Sequence, residues 1–256
     1  MRRTIGLAVA AALLTACTST SSTQHSTART APGPSPSTAA VPKKTSETYG
    51  CLTPDQAAAG SYSLPTGTGS LDAYLRDPGA DPGKVALVFS HQAGGSLCDW
   101  LPHLDEFTKA GYTVLAYSSV GDPHELDLVL RCLAGRGTAK AALVGASKGA
   151  TASLVEAADP RPPLPITAVV SLSSPLEYQG QAADKAVATG PLPRFLAAES
   201  ADSPFDDAAR KLHEAAAGPV NQLKLYPGSR HGALLLDDGA LPDVLAFLAQ
   251  YAPPQA

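Results

Sequence analysis

The chain has 256 residues, 44% of them hydrophobic and 16% charged, with a formal net charge of −4. That much apolar sequence can bury one sizeable core, which excludes a wholly disordered chain. The mild acidity, with no basic stripe and no nucleic-acid motif, argues against a nucleic-acid partner.

In chain order, Met1-Arg2-Arg3 followed by the apolar run Ile5–Leu14 has the form of an export leader, too short to span a bilayer. Leu14-Thr15-Ala16-Cys17 resembles a bacterial lipobox. The resemblance implies removal of residues 1–16 as a lipoprotein signal peptide and attachment of a diacylglyceryl group to the Cys17 sulfur. Two acyl chains hold where a single chain binds only marginally. The expected location is the cell membrane, through this N-terminal lipid anchor, with the domain on the extracytoplasmic side. An ordinary secretory signal with an incidental Cys17 is the alternative, and the paired arginines admit twin-arginine export. Residues 17–48, rich in Ser, Thr, Pro and Ala, cannot bury enough surface to offset their ordering entropy and read as a disordered tether. Residues 49–256 remain as one domain.

Within that domain, Ser61–Leu64 and Leu71–Leu75 flank a Pro/Gly/Thr turn and read as an opening antiparallel pair. Short apolar runs then recur at Val85–Ser90, Thr113–Tyr117, Ala141–Val144, Ile166–Leu172, Arg194–Ala198 and Gln222–Tyr226. Amphipathic stretches alternate with them: Cys98–Ala110, His124–Ala134, Ala150–Ala158, Phe205–Ala216 and Pro242–Tyr251. Alternating strands and helices predict an α/β fold, a mostly parallel, doubly wound sheet with helices on both faces. Between Ser173 and Leu192 there is room for one short helix, so any lid is minimal and the site open.

Gly145-Ala146-Ser147-Lys148-Gly149 sits between a predicted strand and a predicted helix. A G-x-S-x-G pentapeptide in that context is a nucleophile elbow, with the serine hydroxyl lifted above the sheet. A serine needs a base oriented by a carboxylate, and in the chain order of this motif the base comes last. His231, in the loop after Gln222–Tyr226, is the base candidate. Asp202, after Arg194–Ala198, is the acid candidate, because a few loop residues are needed to aim the side chain; Glu199 and Glu177 are the alternatives. The backbone N–H of Lys148 and one from the loop after Val85–Ser90 should hold an oxyanion, with Ala93 the second donor and Gln92 its near alternative. His91 reads as a residue that hydrogen-bonds within its loop. Setting Cys17 aside leaves Cys51, Cys98 and Cys132, of which Cys51–Cys98 is the first choice of disulfide and Cys98–Cys132 the second. No Cys/His group has metal-ligand spacing.

Val85–Gly95, Gly111-Tyr112-Thr113-Val114-Leu115-Ala116-Tyr117, Gly145–Gly149 and the spacing to Asp202 and His231 together resemble the α/β-hydrolase superfamily, specifically its dienelactone-hydrolase-like and serine-esterase members, over residues 60–251. The resemblance implies the α/β-hydrolase fold and a serine hydrolase that cleaves esters through an acyl-enzyme, short-chain or polar esters being favoured by the small lid. It implies no cofactor, a small-molecule ester substrate and a monomer. The alternatives are a surface-tethered binding protein that kept the fold without catalysis, and a peptidase or acyltransferase using the same triad. Three departures stand out. Lys148 and Ala150 replace an apolar residue and a glycine, and Gln92 replaces a glycine. A lysine beside the serine adds positive charge at the mouth and favours anionic or polar substrates. Trp100, Tyr178 and Leu176 are candidate pocket walls.

Overall fold

Runs of Val, Leu and Ala with no polar alternation are stable as strands only when both faces are covered. The computed structural model, which describes residues 42–79, 83–122 and 124–255, arranges them in that way. Among the described residues nine strands form one sheet, in the spatial order β1 (Lys43–Lys44), β2 (Ser61–Pro65), β3 (Ser70–Arg76), β5 (Thr113–Ser118), β4 (Val85–Ser90), β6 (Lys140–Ala146), β7 (Ile166–Leu172), β10 (Arg194–Glu199) and β11 (Asn221–Tyr226). Neighbours from β5 across to β11 pair in parallel. β1, β2 and β3 add an antiparallel edge beside β5. Strands β8 (Glu177–Tyr178) and β9 (Gln181–Ala182) form a separate short hairpin.

Strand alternation divides the core. Val85, Leu87 and Phe89 pack with Trp100, Phe107, Val244 and Phe247. Ala86 and Val88 pack on the other face with Val129, Leu133, Leu154 and Leu212. Helices α1 (Pro54–Gly60), α2 (Leu101–Lys109) and α7 (Ala240–Tyr251) cover the first face. Helices α3 (Glu125–Gly135), α4 (Lys148–Glu156), α5 (Ala183–Val187) and α6 (Phe205–Ala215) cover the second. The doubly wound sheet expected from the sequence is therefore present. β4 has β5 on one side and β6 on the other, so the chain reverses direction across the sheet at β4. A crevice at the carboxyl ends of such strands is where ligands bind in open α/β sheets.

The structure differs from the sequence reading in detail. The stretch read as one helix from Cys98 is a 3₁₀ turn, Leu97–Trp100, followed by α2. Pro102 falls in the first turn of α2, where its missing N–H costs nothing. Helix α1 was not anticipated, although Thr53 and Gln56 cap each other's backbone N–H groups in a capping box. Lys43–Lys44, inside the segment read as tether, pair with β2 through their backbone, so sheet pairing begins before Tyr49. The span from Ser173 to Leu192 carries only the β8–β9 hairpin and α5. Cys17 and the leader lie outside the described residues.

Cys51 and Cys98 are joined by a disulfide across 47 positions of sequence, and Cys132 is a buried free thiol whose pKa burial pushes up to about 11. The bridge ties the segment before α1 to the turn before α2. Closing a loop of this length restricts the unfolded chain, so replacing both cysteines by serine is expected to lower unfolding stability by roughly 2–4 kcal/mol. Denaturant titration of the two proteins checks this, and coincident transitions would contradict it.

Candidate active site

Ser147 occupies the turn from β6 into α4 with φ 49° and ψ −116°, a left-handed conformation that costs a non-glycine residue about 1–3 kcal/mol. Glycines two positions before and after it permit the turn because they lack side chains. A Cβ on Gly149 would fall on the Ser90 carbonyl oxygen, and one on Gly145 would lie 2.5 Å from the Ala150 Cα. The Ser147 N–H donates to Leu172 O at 2.8 Å, and its carbonyl accepts from Ala150 and Thr151 at 3.0 and 3.1 Å. These bonds pin the backbone. Among the described residues the Ser147 hydroxyl itself has no hydrogen-bonded partner.

The two candidate partners of the serine meet each other. His231 Nδ1 lies 2.9 Å from Asp202 Oδ2 and 3.2 Å from Oδ1. A carboxylate only accepts, so Nδ1 carries the hydrogen, and in the neutral ring the lone pair is on Nε2. The Asp202 side chain is 8% exposed and that of His231 31%, which leaves the imidazole edge reachable while the carboxylate stays sheltered. The Phe205 ring packs on the imidazole with centroids 4.2 Å apart.

The alternative acids point elsewhere. Glu199 Oε2 accepts from the Arg230 N–H at 2.6 Å, and burial raises its carboxyl pKa. It fixes the backbone of the histidine loop instead of the ring. Glu177 accepts from the Gly180 N–H in the β8–β9 hairpin.

Sequence reasoning missed Ser173. It is fully buried after β7 with φ 53°, and its hydroxyl donates to Asp202 Oδ2 at 2.7 Å while accepting from the Gly232 N–H at 3.1 Å. One hydroxyl therefore ties the acid to the residue after the histidine. Its only sequence signal is a serine ending a strand, shared with Ser90 and Ser118.

The N–H groups of Ala93, in the loop after β4, and of Lys148, the first residue of α4, have no acceptor among the described residues. Gln92 shapes this loop. Its carbonyl accepts from Gly95 at 3.1 Å, and its Oε1 accepts from the Ala233 N–H at 3.1 Å, stitching the loop to the segment that follows His231. His91 is 3% exposed, and both its nitrogens are occupied. Nε2 accepts from the Ser119 N–H at 2.8 Å, so Nδ1 carries the hydrogen and donates to Gln92 O at 2.6 Å. Burial lowers its pKa. This neutral, fully bonded ring is a fastener between loops.

A cavity of about 380 Å³ opens beside the elbow, with Ser119, Glu125, Lys148, Gly149, Tyr178 and Gln181 among its walls. Ser147, Asp202 and His231 are outside its lining. Of the three pocket candidates only Tyr178 reaches it. Trp100 is fully buried in the core, and Leu176, half-buried, packs against the opposite core cluster. Among the described residues no group of three His, Cys, Asp or Glu side chains is placed to hold a metal, and no helix is long and apolar enough to cross a membrane.

No family model and no curated protein matches the sequence. Solved structures do match the fold. A dienelactone hydrolase from Anabaena variabilis is 23% identical with a TM-score of 0.56, over 75% of this chain and 94% of its own. An esterase from Pyrococcus furiosus is 15% identical with a TM-score of 0.60, over 75% and 90%. The esterase domain of a Rhodothermus marinus protein is 21% identical with a TM-score of 0.60, over 75% and 98%. The fold is the α/β-hydrolase fold.

Ser173→Ala would leave Asp202 one donor short and strand the Gly232 N–H in the interior. Unsatisfied buried groups of this kind cost about 1–3 kcal/mol, so the variant should unfold at correspondingly lower denaturant. An unchanged midpoint would show that the hydroxyl does not carry this link.

Proposed function

We propose that the protein is a serine hydrolase that cleaves carboxylic esters, Ser147 being the nucleophile, His231 the base and Asp202 the acid. The observation that carries this is the His231 Nδ1 contact with Asp202, which leaves Nε2 free to accept a proton, in a chain whose G-x-S-x-G serine sits in a strained elbow. The neighbours of like fold described as esterases and a dienelactone hydrolase support the same chemistry.

Ser147 Oγ attacks the ester carbonyl carbon as His231 Nε2 takes its proton. Asp202 keeps Nδ1 protonated and stabilises the imidazolium. The N–H groups of Lys148 and Ala93 receive the negative charge on the carbonyl oxygen, where preorganised donors act most strongly. Collapse of the tetrahedral species expels the alcohol, which takes the proton back from His231. A water activated by the same nitrogen then attacks the acyl-enzyme, and the acid leaves with Ser147 regenerated. The reaction needs no group besides these residues and water. The open crevice under a minimal lid fits short or polar esters better than a deeply buried lipid. The leader and Cys17 extend the proposal to location: a lipoprotein held at the membrane, its hydrolase domain on the extracytoplasmic side.

Hydrolysis of p-nitrophenyl acetate and butyrate by the wild type and by Ser147→Ala, His231→Ala and Asp202→Asn tests the proposal. Each replacement should lower kcat by at least about a thousandfold, the alanine variants most, because the three side chains act as a unit. Turnover that survives Ser147→Ala would contradict it, and a folded wild type with no turnover would favour a binding protein of the same fold.

A further inference from the structure

One acid beside the site is buried without the partners that an ionised carboxylate needs. Glu199, the last residue of β10, has no exposed surface. Its Oε2 accepts from the Arg230 N–H at 2.6 Å, and its carboxyl packs so closely on Gly228 that a Cβ there would lie 2.8 Å from the Glu199 Cδ. Oε1 is buried as well and meets no donor among the described residues. Burying a charge with one oxygen unsatisfied is costly, and a carboxyl in that position keeps its proton instead.

An acceptor for the proton is at hand. Asp238, just after the 3₁₀ turn Gly232–Leu236, lies within hydrogen-bonding reach of the Glu199 carboxyl. Two carboxyl groups bond to each other only across a proton. Asp238 is the more exposed of the two, and its Oδ2 lies 2.7 Å from Arg230 Nε, so the charge belongs on Asp238 and the proton on Glu199. Burial is the main cause that raises the Glu199 pKa; the Arg230 N–H and guanidinium oppose it, and Asp238 adds to it. The neighbouring titratable groups have partners of their own. Asp237 meets His103 and Arg230, and Tyr226, paired with Glu199 on β11, donates its hydroxyl to Asp243.

Arg230 is therefore held at two points, its N–H by Glu199 and its guanidinium by Asp238, and it is the residue before His231. On the other side of His231, Ser173 holds the Gly232 N–H and Gln92 the Ala233 N–H. With both flanks fixed, the imidazole has one place from which to meet Asp202. We infer that Glu199 is a positioning residue for the hydrolysis: as a neutral acid it bridges the Arg230 backbone and the Asp238 carboxylate and so fixes where His231 stands. The inference rests on the hydrolase proposal and adds a residue to it. An ionised Glu199 would face Asp238 as a like charge, and this link would open.

The test uses the full chain with two replacements. The amide of Glu199→Gln can donate to Asp238 and accept from Arg230 as the neutral acid does, whereas Glu199→Leu can do neither. On p-nitrophenyl acetate at neutral pH, Glu199→Leu should lose about tenfold in kcat with KM within about twofold, since alignment suffers and substrate binding does not. Glu199→Gln should keep kcat near that of the wild type. The second readout is pH. A group whose pKa is raised on folding stabilises the fold below its unfolded pKa, and that contribution is lost as pH rises through the folded value. The ratio of wild-type to Glu199→Gln kcat, in which the titration of His231 cancels, should therefore fall between about pH 5 and pH 9. The wild-type denaturant midpoint should fall relative to that of Glu199→Gln over the same range. A ratio and a midpoint difference that both stay constant, or a folded Glu199→Leu that turns over like the wild type, overturn the inference and leave the hydrolase proposal intact. If Glu199→Leu does not fold, the pH comparison with Glu199→Gln decides alone. If the wild type turns over no ester, the hydrolase proposal fails separately. The midpoint difference then decides: a relative fall of the wild type supports the neutral acid, and a constant difference overturns it.

Discussion

The close approach of α4 to the ends of β4 and β6 is the constraint on which the rest of the site depends. Gly145 and Gly149 let the helix begin against the carbonyls of Ser90 and His91, where a single methyl group would collide with backbone. The strained φ of Ser147 follows from that closeness, and so does the direction of the first turn of α4. Its first N–H groups and positive dipole end lie beside the serine, where negative charge would develop during attack on a carbonyl. The strain of one residue is offset by burial of the sheet on both faces, since β4 and all but the first residue of β6 are fully enclosed.

Around the elbow, loops from distant parts of the chain are fastened by single polar side chains. His91 joins the loop after β4 to the loop after β5, Gln92 joins it to the segment after His231, and Ser173 joins Asp202 to that same segment. Buried polar groups that are fully satisfied fix one geometry, because each alternative would strand a donor or an acceptor. A catalytic pair on mobile loops would lose the alignment that effective proton transfer needs. This network gives the three loops one mutual arrangement.

Much of this was legible in the sequence, because sheet strands buried on both faces are near-continuous apolar runs and the elbow has a spacing that tolerates few alternatives. Val85–Ser90 and Ile166–Leu172 coincide with strands for that reason. What escaped depends on polar details at the ends of those strands. Glu199 ends β10 and Asp202 follows it, and only the course of three residues sends one to the Arg230 backbone and the other to the His231 ring. Ser173 has no pattern that distinguishes it from any strand-ending serine. β1 consists of two lysines joined to β2 by backbone alone, so no apolar signal marks it. Trp100 was a reasonable pocket wall by size, yet a large aromatic on the buried side of a 3₁₀ turn contributes more to the core.

The proposed chemistry requires Ser147 to be an activated nucleophile. Treatment of the folded protein with a fluorophosphonate, followed by peptide mass spectrometry, addresses that directly. A single adduct mapped to Ser147 is the predicted result. A folded protein that stays unmodified, or an adduct on any other serine, would contradict the account.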